Sequence, residues 1–243
     1  MRIHMYDRST RFIAALCLII ACNPKQNDRD KNALFQLLPA SETGINFINN
    51  VTDTKELNIL TYHNFYNGGG VAIGDVNNDG RPDVFFTSNQ HPNKLFINKG
   101  DWKFEDASVK SGIISAHKWH TGVTMVDINH DGWLDLYICN SANIPGDDRA
   151  NELWVNEHDG KFKEEAHRYG LDDKGPSTQA TFFDYDHDGD LDCFVLNNDA
   201  HFNSNFGYNS YLRTVRDTIN GDHLYRNDNG KFVDVSGQAG IFQ

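Results

Sequence analysis

Three acidic loops of one design recur along this chain, and their fixed offsets restrict its fold more than any other feature. The first reads Asp75-Val-Asn77-Asn-Asp79-Gly80-Arg81-Pro-Asp83 and the second Asp127-Ile-Asn129-His-Asp131-Gly132-Trp133-Leu-Asp135. The third reads Asp184-Tyr-Asp186-His-Asp188-Gly189-Asp190-Leu-Asp192. Oxygen-bearing side chains stand at positions 1, 3, 5 and 9, with Gly at position 6. Ca2+ takes six to eight hard oxygen ligands in a flexible shell, and glycine lets the backbone turn where a side chain would clash. The carbonyls of Arg81, Trp133 and Asp190 at position 7 are the expected main-chain ligands. A solvated Asp/Asn/Gly turn is the plain alternative for one copy, but three copies at the same offsets favour a cation, which would relieve the repulsion between neighbouring carboxylates. Position 12 is Phe86, Ile138 or Val195, not the Glu of an EF-hand. No Cys/His cluster has zinc spacing. Three Ca2+ sites are expected.

Each loop sits inside a longer unit. Short apolar runs flank it, as in Val71-Ala-Ile-Gly74 before the first loop and Val84-Phe-Phe-Thr87 after it. Then come Asn93-Lys-Leu-Phe-Ile-Asn98, Asn151-Glu-Leu-Trp-Val-Asn156 and His223-Leu-Tyr-Arg-Asn227, and a fourth run near Phe104, Phe162 and Phe232. Brief β-branched and aromatic runs between Gly/Asn/Asp turns predict strands. Four per unit, repeated at roughly 50 to 60 residues, predict an all-β chain of propeller type. One or two helical turns are expected over residues 32–38.

These units resemble FG-GAP/VCBS repeats, of the type seen in cartilage-acidic-protein-like and ASPIC/UnbV-associated proteins and related to the integrin α-chain propeller. The resemblance rests on Gly68-Gly69-Gly70-Val-Ala-Ile-Gly-Asp75, the three loops, Asn-x-Leu-(Phe/Trp)-x-Asn at 93–98 and 151–156, and Gly-Lys-Phe at 160–162 and 230–232. It implies a partial β-propeller of about three four-stranded blades. It also implies Ca2+ in the loop joining the first two strands of each blade. The implied ligand sets are Asp75/Asn77/Asp79/Asp83, Asp127/Asn129/Asp131/Asp135 and Asp184/Asp186/Asp188/Asp192. Such propellers usually close with about seven blades, so further blades from a missing C-terminal portion or a second polypeptide are expected.

The first 22 residues resemble a bacterial lipoprotein signal. Arg2, Arg8 and Arg11 precede or enter an apolar run at 12–21 that is too short for an ordinary span. Leu18-Ile-Ile-Ala21-Cys22 looks like a lipobox with Cys22 as the lipidated residue. The expected organisation is a signal at 1–22, a flexible tether at 23–40 and the repeat domain at 41–243. The expected localisation is export to the bacterial outer membrane, periplasmic or cell-surface side, with membrane contact through the lipid anchor.

The chain carries 22 basic and 34 acidic residues, and eleven of the acidic ones lie in the three loops. This balance argues against nucleic acid, which needs a basic surface. The connections between second and third strands grow along the chain, over residues 88–92, 140–150 and 197–222. Long loops on a rigid scaffold carry function, so a protein or glycan ligand is expected there, with Phe206, Tyr208, Tyr211 and Arg213 as the ligand face. Trp102, Trp119, Trp133 and Trp154 read as packing residues, and Cys139 and Cys193 as buried thiols. His117 and His120 have no nucleophile placed with them in sequence. The expected function is a non-enzymatic, calcium-stabilised repeat domain of a membrane-anchored lipoprotein, serving adhesion, protein interaction or glycan binding. The alternative is an enzyme acting on polysaccharides, with a catalytic set around His201, Tyr208, Tyr211 and Arg213.

Overall fold

The computed structural model describes residues 33–198 and 215–241. Cys22, His201, Phe206, Tyr208, Tyr211 and Arg213 lie outside the described residues, as does the signal region. A compact unit runs Ala40–Gln243. It opens with one helical turn, α1 (Ala40–Thr43), placed after the segment where the sequence suggested it. Among the described residues, no helix is long and apolar enough to cross a membrane.

Twelve strands follow in three groups of four: β1 (Val71–Gly74), β2 (Asp83–Phe86), β3 (Lys94–Asn98) and β4 (Phe104–Asp106); β5 (His120–Val126), β6 (Asp135–Asn140), β7 (Glu152–Asn156) and β8 (Phe162–Glu164); β9 (Ser177–Phe183), β10 (Asp192–Asn197), β11 (His223–Asn227) and β12 (Phe232–Asp234). A second helical turn, α2 (Ala166–Tyr169), follows β8 and ends on Gly170 in the left-handed region. Each group is a four-stranded sheet in sequence order, with the antiparallel pairs set by short turns. In each β1–β2-type turn the position-6 glycine has a φ of 83°, 84° or 100°. The position-4 residues Asn78, His130 and His187 are also left-handed, at 55°, 58° and 64°. Asn and His are among the few non-glycine residues that adopt this region readily.

The expected partial propeller is corrected by the structure. There are three discrete four-stranded antiparallel sheets, and they are not closed into a barrel or propeller. The alternating strand pattern specifies hydrogen bonding within a sheet, and in each group the ladder stops at its first and fourth strands. Sheets meet through side chains and close backbone approach instead. A Cβ on Gly70 would lie 2.8 Å from both the Thr121 carbonyl oxygen and the Val123 nitrogen, so β1 and β5 approach closely only because that residue is glycine. Thr121 Oγ1 donates to the Ser177 carbonyl at 2.7 Å and Thr124 Oγ1 to the Ala180 carbonyl at 2.7 Å, tying β5 to β9.

The core follows from this stacking. The middle sheet has neighbours on both sides, so β6 is buried along its whole length. Its continuous Leu136-Tyr137-Ile138-Cys139 run fits that position. Tyr137, Cys139, Leu153, Leu171 and Val195 form one cluster, and Phe85, Leu95, Leu136 and Ile138 another. Cys139 and Cys193 are free buried thiols. Trp119 packs with Tyr62 and Phe65, and Trp154 is also buried, whereas Trp102 is exposed.

Candidate cation sites

The last Asp of each loop has the same role three times. Asp83 is fully buried, and its two oxygens accept the Val76 N–H at 3.0 Å and the Asn98 N–H at 2.7 Å. Asp135 accepts from Ile128 and Asn156 at 3.0 and 2.7 Å, and Asp192 from Tyr185 and Asn227 at 2.8 and 2.8 Å. Each of these carboxylates therefore clamps the loop to the end of the third strand. Charge-assisted bonds of this kind are the strong ones. The Asn at that strand end donates back to the loop, from Asn98 to the Pro82 carbonyl, Asn156 to Leu134 and Asn227 to Leu191. Burial pushes Asp135 up to about 6, against the lowering effect of its two N–H donors.

The first Asp also serves the turn. Asp75 accepts from the Asp79 and Gly80 N–H groups at 3.1 and 2.7 Å, Asp127 from Asp131 and Gly132 at 3.0 and 2.9 Å, and Asp184 from Asp188 and Gly189 at 3.2 and 3.2 Å. The position-5 carboxylates accept the position-7 N–H of Arg81, Trp133 and Asp190.

The loops diverge in how that position-5 charge is met. In the first, Asn77 Nδ2 donates to Asp79 Oδ2 at 3.2 Å and Arg81 Nη2 lies on the same oxygen at 2.5 Å. In the second, Asn129 Nδ2 donates to Asp131 Oδ2 at 2.8 Å and His158 Nε2 reaches it at 2.9 Å. Trp133 stacks on His158 with ring centroids 4.9 Å apart, holding the imidazole there. The third loop has Asp186 for the Asn, Asp190 for Arg81 and Asn229 for His158. Ligand oxygens of Asp184, Asp186 and Asp188 all fall within 4.8 Å of one another, so this triad can hold a cation. Although Asp186 is exposed, local desolvation in the loop and the carboxylates of Asp188, Asp192 and Asp184 raise it. Burial and Asp188 raise Asp190, whose Oδ1 is buried without a hydrogen-bond partner. The oxygen-only donor set of the triad fits a hard divalent cation.

A second group able to hold a cation comprises His117, Asp147 and Asp148. His117 Nδ1 lies 2.6 Å from Asp147 Oδ1 and 3.8 Å from Asp148 Oδ1. The Lys118 and Arg149 N–H groups fix Asp147 at 2.7 and 2.9 Å. Sequence reading found His117 but missed both carboxylates, which stand about thirty positions away in the β6–β7 connection with no motif around them.

Sequence also missed the polar clasps beside the second and third sheets. Ser115 Oγ lies 2.7 Å from both Glu152 Oε1 and His120 Nε2, while His120 Nδ1 lies 2.8 Å from the Ser88 carbonyl. Burial lowers His120 to about 4, so its imidazole is neutral, and burial raises Glu152. His120 then carries its hydrogen on Nδ1 for the Ser88 carbonyl. Ser115 Oγ donates to Glu152 Oε1 and stands against His120 Nε2. At the third sheet the clasp sets a carboxylate against an imidazole. Asp173 accepts from His223 Nδ1 and, at 2.7 Å, from the Tyr225 hydroxyl. Burial opposes charge on His223, but the bond to Asp173 outweighs it and raises the imidazole.

An FG-GAP-like repeat family matches residues 49–138 and 141–195. Cartilage acidic protein 1 of Xenopus tropicalis is 38% identical over 74 residues, 30% of this chain and 11% of that protein. Its Homo sapiens counterpart is 38% identical over 72 residues, 29% of this chain and 11% of its own length. Integrin alpha-PS3 of Drosophila melanogaster is 30% identical over 36% of this chain and 9% of its own length. The chain thus matches about a tenth of the length of these relatives. A solved structure of an Agrocybe aegerita lectin that recognises non-reducing terminal N-acetylglucosamine aligns at a TM-score of 0.37 and 17% identity, over 67% of this chain and 36% of the lectin. The matched relatives, from frog, human, mouse and fly, are all eukaryotic. They overturn the expected localisation as a bacterial outer-membrane lipoprotein.

Proposed function

Because this chain belongs to the FG-GAP-like repeat family, we propose that it is a non-enzymatic repeat module braced by Ca2+, with the third loop as its principal site. The observation that carries this reading is the contrast among the loops: Asp79 meets Arg81 and Asp131 meets His158, whereas Asp184, Asp186 and Asp188 converge with Asp190 in the place of the arginine. A hard cation there takes the place of the side chains that meet the position-5 carboxylate in the other two. Asp184, Asp186 and Asp188 are the side-chain ligands, the Asp190 carbonyl is the main-chain one, and Asp192 remains the clamp. The equivalent ligands of the first two loops, Asp75/Asn77/Asp79 and Asp127/Asn129/Asp131, form weaker sites because binding there competes with Arg81 or His158. The braced sheets present the connections between second and third strands to a protein or glycan partner.

Thermal melts in EDTA and in Ca2+ test this. Ca2+ is expected to raise the Tm of the parent chain and to leave Asp188→Asn nearly unmoved. An equal response in the parent and Asp188→Asn would sink the assignment to the third loop. No response in either would remove calcium altogether.

A further inference from the structure

His117 and the carboxylates of Asp147 and Asp148 come from two separate connections, the link into β5 and the β6–β7 loop. The backbone fixes the first two. The His117 N–H donates to Ser115 Oγ at 3.1 Å, and the Asp147 N–H to the Ile144 carbonyl at 3.0 Å. The Asp147 side chain is 4% exposed, and its oxygens accept the Lys118 and Arg149 N–H groups. Burial opposes charge on this carboxylate, but the bonds from His117, Arg149 and Lys118 outweigh it and hold Asp147 below the ordinary carboxylate range. One imidazole nitrogen and one buried carboxylate are thus placed in advance, as a metal site requires.

Asp148 completes the group from the exposed side. The three ligand atoms lie within 4.8 Å of one another. Four-coordinate zinc holds nitrogen and carboxylate oxygen at about 2.0–2.2 Å, which sets neighbouring ligand atoms roughly 3.4 Å apart. The separations from His117 Nδ1, 2.6 Å to Asp147 and 3.8 Å to Asp148, straddle that value. A cavity of about 360 Å³ opens over His117 and Asp148. Glu152, Glu164 and Asp172 also line it, and Lys174 is the single Lys or Arg in its wall among the described residues. The space above the group is therefore acidic and wide enough for water. Lys174 lies 2.8 Å from Asp148, with both side chains 57% exposed, and exposed pairs of this kind are weak. Lys174 stands three residues before β9, as His117 stands three before β5. The second link thus brings a nitrogen with a lone pair where the third brings an ammonium, which has none.

We propose that His117 Nδ1, Asp147 and Asp148 bind a divalent metal of the zinc class, with water from the cavity in the fourth position. The donor set selects this class. Ca2+ and Mg2+ take all-oxygen shells, whereas imidazole suits zinc and its transition-metal neighbours. Three protein ligands and one open position are the usual arrangement of an accessible zinc site. On binding, Nδ1 gives up any hydrogen it carries, the neutral ring keeps its hydrogen on Nε2, and Lys174 leaves Asp148. The site is distinct from the third acidic loop, where every donor is an oxygen.

Zn2+ titrated calorimetrically into the full chain in saturating Ca2+ tests this. The parent is expected to bind a zinc equivalent that excess Ca2+ does not displace. His117→Gln is expected to weaken that equivalent by about a hundredfold, since even the supporting partners of a metal ligand are worth about tenfold to a hundredfold. Should that variant fail to fold, Asp148→Asn carries the same expectation, because its side chain is exposed. Lys174→Gln removes a competitor for Asp148 and is expected to tighten zinc by up to about fivefold, a gain that a merely structural pairing of His117 with Asp147 would not produce. No zinc equivalent in saturating Ca2+, or equal zinc affinity in the parent and the folded His117→Gln or Asp148→Asn chain, would overturn the proposal.

Discussion

The second and third repeats have the same strands and turns but handle charge in opposite ways. In the second, His158 and Asn129 meet the Asp131 carboxylate, and the clasp hydrogen-bonds Glu152, Ser115 and a neutral His120. In the third, the loop concentrates five Asp residues, and the clasp sets Asp173 against His223, whose imidazole that carboxylate raises. One backbone design thus tolerates both solutions. Its geometry is held by the position-9 carboxylate and the strand-end Asn, which do not vary in kind, and the remaining charges are free to differ.

The largest expected effect tests that common frame. Asp135→Ala leaves the Ile128 and Asn156 N–H groups without their acceptor in a buried place, at about 1–3 kcal/mol each. Urea denaturation should show a loss of about 2–5 kcal/mol, with a similar loss for Asp192→Ala measured in EDTA. If the third-repeat variant were near neutral in EDTA, the clamp would not be shared.

The histidines of the two clasps should respond to acid with opposite signs. His120 titrates at about 4 in the folded chain, against 6.5 for an ordinary histidine. The unfolded chain therefore binds more protons between those values, and this group's contribution to stability falls as pH drops from about 6.5 towards about 4. The ceiling is about 3 kcal/mol, at about 1.4 kcal/mol per pH unit. His223 is raised, so its contribution is full below 6.5 and is lost as pH rises through its folded value. Stability measured at pH 7 and pH 5 should fall less on acidification in His120→Gln than in the parent, and more in His223→Gln. Identical pH dependence in both variants would break the contrast between the clasps.

Calcium gives the next effect. At a hundredfold excess over its Kd, binding stabilises by about 2.7 kcal/mol. That corresponds to a Tm rise of roughly 5–10 °C for a domain of this size. Asp190→Arg, which copies the first loop into the third, should reduce the rise, and an undiminished rise would show that side-chain neutralisation does not set cation preference. The smallest effect is that of His158→Gln. Removing this half-exposed hydrogen-bond partner costs less than about 1 kcal/mol, yet it should strengthen a second, weaker calcium transition at Asp131 by calorimetric titration.

The sequence determined the periodic parts. The loop residues, the glycines at position 6, the Asn-x-Leu runs and the four strands per repeat are all local patterns, and each appears in the structure where its offset put it. The third loop's excess of carboxylates was also legible, because Asp186 and Asp190 are written within the motif itself. Tertiary structure decided what lies far apart in the chain. His158 meets Asp131, His117 meets Asp147, and Ser115 joins His120 to Glu152 across separations that no local pattern encodes. It also decided that each hydrogen-bond ladder ends with its own sheet, leaving three discrete sheets in place of the expected propeller. Strand alternation specifies partners within a ladder, whereas neighbouring sheets meet by side-chain fit at places such as Gly70 and Thr121.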